Sequence, residues 1–572
     1  MPRERNPSSA GLPVREDRGD DWGDPGPHRP DAPTGEALRP VPAALVRHAP
    51  YGVYIAICFA VLPASSDGFA TADGVSYISI AQHWAAGRFD LAVNGFWSPL
   101  LSVLLVPAAL LDAPMLLSGQ LLMIATGVAT IAQIKRLMSV LNADTVVDDL
   151  LVLGATPMVA YAALSLLTPD LLMATLLLGY LSTMIDQRSS TPFRRGAIAG
   201  CWAGAAFLAK SYALPFVIAH LALTVLVRLV RRSDLGQRWV VAAVASLTTA
   251  LFVVPWATAL SIEYGRATVT TVGEYHVEVT ADGSSGNAFV WAGLLPPTNE
   301  FAVSAWEDPS LLPRSPEEAG VAEDVGARVR ESTGQASGLV ERVEHRFHRV
   351  LGSLRVAVTA GGLMGAIGLF GTAAMAWWLL SRRPARPARH AAPDPFVDIV
   401  LAVVVYIGGL SVLVIETRYL WAPLLLTVPC AAWGVRRIPR RWGVVPIRWF
   451  AAFLAAGSVV GPAIGISRVV DKASEQERLA TAVAPVLTSG VRVATSRSAL
   501  SSMPGLCQAR GCEYWGASLA RSAEELEREL AADGIDLYVA FGEASAPVGT
   551  PILHVVRSGA DLSVYDVGRQ QR

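Results

Sequence analysis

The chain has 572 residues, of which 52% are hydrophobic and only 17% charged, and its mean hydropathy is +0.40. A soluble protein would carry nearer a quarter charged residues, and a formal net charge of −1 offers no basic surface for nucleic acid. Only three of the 47 basic residues are lysines (Lys135, Lys210 and Lys472), an Arg bias that suggests a GC-rich bacterial genome.

Residues 1–48 are rich in Pro, Gly, Asp and Arg and cannot bury a core, so they are read as a disordered cytoplasmic tail. Beyond them the apolar residues fall in blocks of about 17–25, the length an α-helix needs to cross roughly 30 Å of hydrocarbon. The blocks lie at about 49–64, 115–134, 149–167, 171–185, 196–209, 213–230, 239–261, 356–380, 396–415, 419–434 and 449–467. The fold class expected is mainly α, a polytopic transmembrane bundle of about eleven spans, followed by a small C-terminal extracytoplasmic α/β domain.

The positive-inside rule sets the direction. Lys135-Arg136, the loop with Arg188, Arg194 and Arg195, the pair Arg231-Arg232, SRRPARPAR and VRRIPRR all fall in alternate loops. The long or acidic loops take the other side. Residues 97–114 (WSPLLSVLLVPAALLDAP) are apolar but short and bracketed by prolines, which fits a re-entrant or interfacial helix. Counting them as a span would put Lys135-Arg136 and every later basic loop outside. The domain reading is therefore a tail at 1–48, a transmembrane module at 49–469 with outer loops 65–114 and 262–352, and an extracytoplasmic α/β domain at 470–572.

The loop 262–352 is too long for a simple connection. It opens on β-branched and aromatic alternation and closes on a helix-like run into the eighth span. In the C-terminal domain 491–495, 535–541, 552–557 and 562–567 read as strands. Ser522-x-x-Glu525 reads as a capping box and Gly534 as the stop of a helix over 523–533. With this domain outside the cell, Cys507 and Cys512 are expected to form a disulfide, the competing readings being two free thiols or a metal half-site. Cys58, Cys201 and Cys430 lie in apolar spans as small hydrophobes.

Polar groups at membrane depth are costly and mark sites. The threading puts Asp67, Asp73, Asp170, Lys210, Glu416, Arg418 and Tyr419 at one membrane surface. A carboxylate there can take a proton from a hydroxyl, and a guanidinium can hold a phosphate bidentately. Residue by residue, ordinary polarity at helix ends explains the same pattern. His220, in mid-span, is expected to be hydrogen-bonded within the bundle. His83 is either a substrate contact or interfacial, and Trp84, Trp97 and Trp291 are either sugar-stacking or interfacial.

The stretch from Asp73 to Leu111 resembles the first outer loop of the GT-C superfamily, integral membrane glycosyltransferases that use polyprenyl-phosphate sugars. The residues that carry the match are Asp73, Tyr77, Ala81, Gly87, Trp97, Pro99 and Leu100. Residues 196–215 resemble the family's Gly-rich span ending in Lys, and 416–434 its Glu-x-Arg-Tyr element. Residues 264–276 (YGRATVTTVGEYH) resemble a loop of bacterial members.

The resemblance covers most of 49–470. It implies transfer of a hexose or pentose, with inversion, from a polyprenyl-phosphate donor to an envelope glycan, glycolipid or protein acceptor. It makes Asp73 the base, with Asp67 as its alternative, and Asp170 an acidic position that holds acceptor or metal. Arg418 would hold the lipid phosphate, with Lys210 second. Tyr77 would orient Asp73, and Tyr419 joins the substrate-binding set. Where the family often has two adjacent acids this chain has Asp73-Gly74, so no cofactor is assigned and a divalent metal is left open. The rival readings are a lipid or solute transporter or flippase, for which no internal repeat is visible, and a non-catalytic scaffold on the same fold.

Overall fold

A computed structural model describes residues 43–66, 68–141, 145–186, 191–230, 236–272, 396–410, 417–436, 444–496, 502–518, 522–542, 549–557 and 560–570, with Leu294, Pro297 and Ala520 as isolated positions. Among them five helices are long and apolar enough to cross a membrane. Residues 1–42 of the expected disordered tail, most of the loop 262–352, and the eighth span lie outside the described residues, while 43–48, expected in the tail, are the first residues of a helix.

The bundle opens with α1 (Ala43–Ser66), then α2 (Ala72–Ala85), the single turn α3 (Phe89–Ala92) and α4 (Leu100–Leu110). Helix α4 has 11 residues between Pro99 and Pro114. At 1.5 Å per residue it rises only about 16 Å, half of a bilayer core. It packs on α2, and Ser102 donates its hydroxyl to the Tyr77 carbonyl at 2.9 Å.

Helices α5 (Met115–Val140), α6 (Thr145–Ser165), α7 (Asp170–Ile185), α8 (Pro192–Ala209), α9 (Ala213–Val230) and α10 (Gly236–Glu263) follow. Lipid tails are as apolar as Leu, so helices in a membrane associate through close backbone approach. Helix α8 does this with Gly196, Gly200 and Gly204, one per turn. A Cβ on Gly200 would lie 2.5 Å from Thr248 Cβ and 2.6 Å from the Ala245 carbonyl oxygen of α10. The remaining bundle helices are α11 (Phe396–Leu410), α12 (Trp421–Arg436), α13 (Val444–Gly457) and α14 (Val460–Val483).

Helix α14 runs without a break from the bundle into the C-terminal unit. That unit is a five-stranded sheet in the order β2-β1-β3-β5-β4, built from β1 (Arg492–Thr495), β2 (Glu513–Ala517), β3 (Leu537–Phe541), β4 (Leu553–Arg557) and β5 (Ala560–Asp566). Strand β1 pairs parallel with β2 and β3, and β5 antiparallel with β3 and β4. Side chains alternate between the two faces. Ala494, Tyr538, Ala540 and Tyr565 pack under α16 (Ala523–Ala532), while Val493, Leu537, Val539, Leu562 and Val564 join the core shared with the bundle.

Ser522 accepts a hydrogen bond from Glu525 N at 3.1 Å, and Gly534 has φ +62°, the cap and stop read from the sequence. Between β1 and β2 lies α15 (Met503–Arg510). Cys507 is part of that helix, and Gly511 at φ +72° turns the chain so that Cys512 N–H bonds the Cys507 carbonyl at 3.1 Å. Cys507 and Cys512, the pair expected to form a disulfide, are both buried, and their side chains are hydrogen-bonded to each other. Burial and the hydrogen bond with Cys512 push the Cys507 thiol well above the ordinary range.

Candidate active site

Asp73 is the second residue of α2. Thr71 caps that helix, accepting from Gly74 N at 3.4 Å, so the carboxylate sits at the positive end of the helix dipole. Asp170 opens α7 in the same way behind Pro169. Lys210 ends α8 in an extended conformation, and Ser98, next to Pro99, accepts from the following Ser211 N at 3.1 Å. Arg418 and Tyr419 lie in the 3₁₀ turn Thr417–Leu420 that leads into α12.

Four segments far apart in sequence therefore deliver one cluster. Arg418 Nη1 donates to Asp73 Oδ2, and Lys210 Nζ donates to Asp170 Oδ1. Tyr419 lies between the pairs, its ring centre 4.0 Å from Lys210 Nζ and 5.3 Å from the Arg418 guanidinium carbon. Tyr77, one turn beyond Asp73, is buried against Trp97 with ring centres 5.5 Å apart. Burial first, then the charges of Asp73 and Asp170, pushes the Tyr77 phenol well above its ordinary range, so it stays protonated. All six residues singled out for catalysis and substrate binding meet here: Asp73, Tyr77, Asp170, Lys210, Arg418 and Tyr419.

The two carboxylates differ in access. The Asp73 side chain is 26% exposed and that of Asp170 1%. An incoming hydroxyl can reach the first and not the second. Asp170 Oδ2 is buried without a hydrogen-bond partner among the described residues, a spare acceptor next to Lys210. Each carboxylate is already held by a cation of the chain, and no group of three or more His, Cys, Asp and Glu comes together among the described residues.

Gly74 has a packing reason. A Cβ there would lie 3.3 Å from Ala70 Cβ and 3.3 Å from Leu167 Cβ, so a second acid would crowd the connection between α6 and α7. Asp67 and Glu416 lie outside the described residues, as does Trp291. His83 is fully buried, 3.5 Å from Ser79 Oγ, and burial followed by the charge of Arg88 pushes it down to about 4. It is a neutral core group and not a substrate contact. Trp97 is 8% exposed and Trp84 pairs edge-on with Phe89 at 5.4 Å, so both pack within the loop. His220 bonds Tyr180 Oη at 3.0 Å and the Asp398 carbonyl at 3.3 Å inside the bundle.

Two further parts border the site, the first within residues 264–276 and the second without a signal in the sequence. The segment after α10 closes on the first loop, where Thr271 N donates to the Gly95 carbonyl at 3.0 Å and Gly95 N to Tyr264 Oη at 3.1 Å. Beside the cluster, a cavity of about 540 Å³ reaches from Thr71 and Arg418 to α14.

No protein-family model matches the chain, and no curated protein matches it in sequence. Solved structures do match in fold. ArnT from Cupriavidus metallidurans bound to undecaprenyl phosphate superposes with a TM-score of 0.54 at 13% identity, covering 90% of this chain and 97% of that one. The apo state of the same protein gives 0.52 at 13% identity over the same shares. The archaeal oligosaccharyltransferase AglB from Archaeoglobus fulgidus gives 0.45 at 12% identity, covering 86% and 69%. This chain shares the fold of ArnT over nearly the whole length of both chains.

Proposed function

We propose that this protein is a membrane glycosyltransferase that moves a hexosyl or pentosyl group from a polyprenyl-phosphate donor to an acceptor hydroxyl on the outer face, with inversion. The observation that carries this reading is the pairing of a reachable carboxylate, Asp73, with the guanidinium of Arg418 beside a large cavity. The undecaprenyl phosphate bound to ArnT supports a lipid phosphate as the donor's carrier.

In this reading the donor phosphate takes Arg418 away from Asp73, since a guanidinium binds a phosphate bidentately and at least as well as one carboxylate. The freed carboxylate accepts the proton of the acceptor hydroxyl. Its oxygen attacks the anomeric carbon, and the bond from that carbon to the phosphate oxygen breaks. The electron pair stays on the lipid phosphate, which leaves held by Arg418 and Lys210. Tyr77 keeps Asp73 in place from one helical turn away, and Tyr419 spaces the two cations. Asp170 holds Lys210 extended.

The topology that goes with this function has about eleven spans, a cytoplasmic N-terminus, and the C-terminal unit outside, where it would border acceptor entry.

Asp73→Asn tests the reading. The amide is isosteric but cannot take the proton, and removal of a general base costs roughly 10²–10⁴-fold in rate. Transfer from a polyprenyl-phosphate sugar should fall by that factor while insertion and thermal stability stay at wild-type level. Undiminished transfer would sink the assignment, and no transfer by the wild type with any lipid-phosphate sugar would favour a scaffold.

A further inference from the structure

A second cavity lies where α7, α8, α9 and α10 meet, at the end of the bundle away from Asp73. Asp170 opens α7 and Lys210 ends α8, whereas Met184 and Arg195 stand at the other ends of the same two helices. Arg195 of α8, Thr224 of α9 and Arg238 of α10 give the cavity its polar wall, and no Asp or Glu lines it among the described residues. Met184, Leu221 and Val241 make its apolar wall.

Thr224 behaves unlike the other threonines of the bundle. A threonine inside a helix can give its hydroxyl to the carbonyl four residues back. Thr126, Thr130, Thr156, Thr175 and Thr249 all do so, at 2.8–3.0 Å. Thr224 is 5% exposed, yet its Oγ1 has no partner among the described residues. A buried hydroxyl left in that state costs free energy that a ligand oxygen would recover. Two guanidiniums share the cavity with it. Arg195 Nη1 donates to the Asp186 carbonyl at 3.3 Å, and Arg238 Nη1 stands 3.9 Å from Asp398 Oδ2. A guanidinium carries its N–H donors in a planar fork that matches phosphate.

Size then selects the ligand. The cavity admits about 20 Å³, room for about one or two oxygen-sized groups and too little for a head group or a chain. A ligand must therefore insert oxygens and leave its body outside. Trp239 on the rim is exposed, and so are Val240, Leu247, Leu251 and Val254 farther along α10, a helix long and apolar enough to cross a membrane. Tryptophan favours the membrane interface, and the apolar positions beyond it suit acyl chains.

We propose that this cavity takes the phosphate oxygens of an anionic phospholipid, held by Arg195, Arg238 and the Thr224 hydroxyl, with the acyl chains lying along α10. Basic pockets between membrane helices on the cytoplasmic side recognise anionic head groups in this way. A water molecule would satisfy Thr224 but carries no charge to complement two guanidiniums. The lipid is bound and not consumed, and the site does not depend on the transferase reading.

The test is native mass spectrometry of the full chain in neutral detergent, with phosphatidylglycerol as the probe. Phosphatidylcholine serves as the zwitterionic control and inorganic phosphate as competitor. The wild type should bind phosphatidylglycerol at least tenfold more tightly than phosphatidylcholine. Thr224→Val keeps the shape and removes the hydroxyl, so that preference should fall about tenfold. Its melting temperature in lipid-free detergent should hold or rise, which vouches for the fold. Thr224→Ser should retain the preference. Arg238→Gln/Asp398→Asn, which removes both charges together, should bring phosphatidylglycerol down to the level of phosphatidylcholine. A phosphatidylglycerol analogue with a photoreactive head group should crosslink to α9 or α10 of the wild type. Full preference in Thr224→Val, or crosslinks confined to other helices, overturns the proposal. No preference in the wild type would leave a water site only, and displacement by inorganic phosphate at the lipid's concentration would leave a plain anion site; either result overturns it as well.

Discussion

At the scale of single residues, the site balances two carboxylates against two cations, with Asp170 the buried member. Removing one partner of a buried pair leaves an uncompensated charge, at about 3–5 kcal/mol. Lys210→Met should therefore lower the detergent-melting temperature sharply. Adding Asp170→Leu to it should restore much of the stability, because the pair is replaced by apolar volume, while transfer stays lost. A double variant with wild-type transfer would show that the pair only holds the bundle together.

His83 gives a pH signature. Its folded value of about 4 lies below the ordinary 6.5 because burial, helped by Arg88, disfavours the imidazolium. Between those values the unfolded chain binds a proton that the folded chain refuses. Stability is thus intact above about pH 6.5 and falls as the pH drops toward 4. His83→Gln should flatten that part of the melting-temperature profile, and a profile with the same slope would remove His83 as its source. The acids, Arg418 and Lys210 were legible from residue type and topology. The burial of His83 and the packing of Trp97 on Tyr77 were not, because interfacial polarity and core packing look alike in a sequence.

Elements were legible where their own periodicity decided them. The capping box of α16, the short proline-bounded α4, and four of five strands could be read directly. Strand β2 was missed, since its Glu and Gly argue against a strand and only its parallel pairing with β1 makes it one. Helix α15 was missed for a similar reason, and it matters for the site. A Cβ on Gly505 of α15 would lie 1.9 Å from the Ala70 carbonyl oxygen, three residues before Asp73. The C-terminal unit thus abuts the N-terminal side of α2 through a glycine. Gly505→Ala should push α15 away, at about 1–3 kcal/mol of overpacking. Transfer should fall although residue 505 is not among the clustered side chains, and limited proteolysis of the C-terminal unit should speed up. Wild-type transfer would show that α2 holds Asp73 without this contact. Gly200→Leu on α8 is the control inside the bundle: it should block the α8–α10 approach and lower the yield of folded protein.

For the whole molecule, charge separates the two ends of the bundle. The cluster of Asp73, Asp170, Lys210 and Arg418 occupies one end. At the other, Lys135 near the end of α5 donates to Asp149 Oδ1 at 2.6 Å and to the Arg47 carbonyl at 2.6 Å, and Arg238 meets Asp398 at 3.9 Å. Arg195, whose Nη1 donates to the Asp186 carbonyl at 3.3 Å where α7 gives way to α8, lies at this second end, the end expected to face the cytoplasm by the positive-inside rule. That the acids and cations of the cluster share one end was legible from span order and charge. That Lys210 reaches Asp170 was not, because it depends on how α7 and α8 pack.

Two exposed positions report the ends. Asp90 lies in the segment 65–114, expected to face outward, and Ser139 in the last turn of α5. With Cys201 replaced by Ser to remove the exposed native thiol, Asp90→Cys should react with a membrane-impermeant maleimide in intact cells. Ser139→Cys should react only after the membrane is opened. The reverse pattern would turn the bundle over and place Asp73 on the cytoplasmic side, where a donor and acceptor delivered to the outer face could not reach it. Labelling of both positions in intact cells would break the alternation on which the span count rests, and with it the assignment of residues 97–114 to a helix that dips in without crossing.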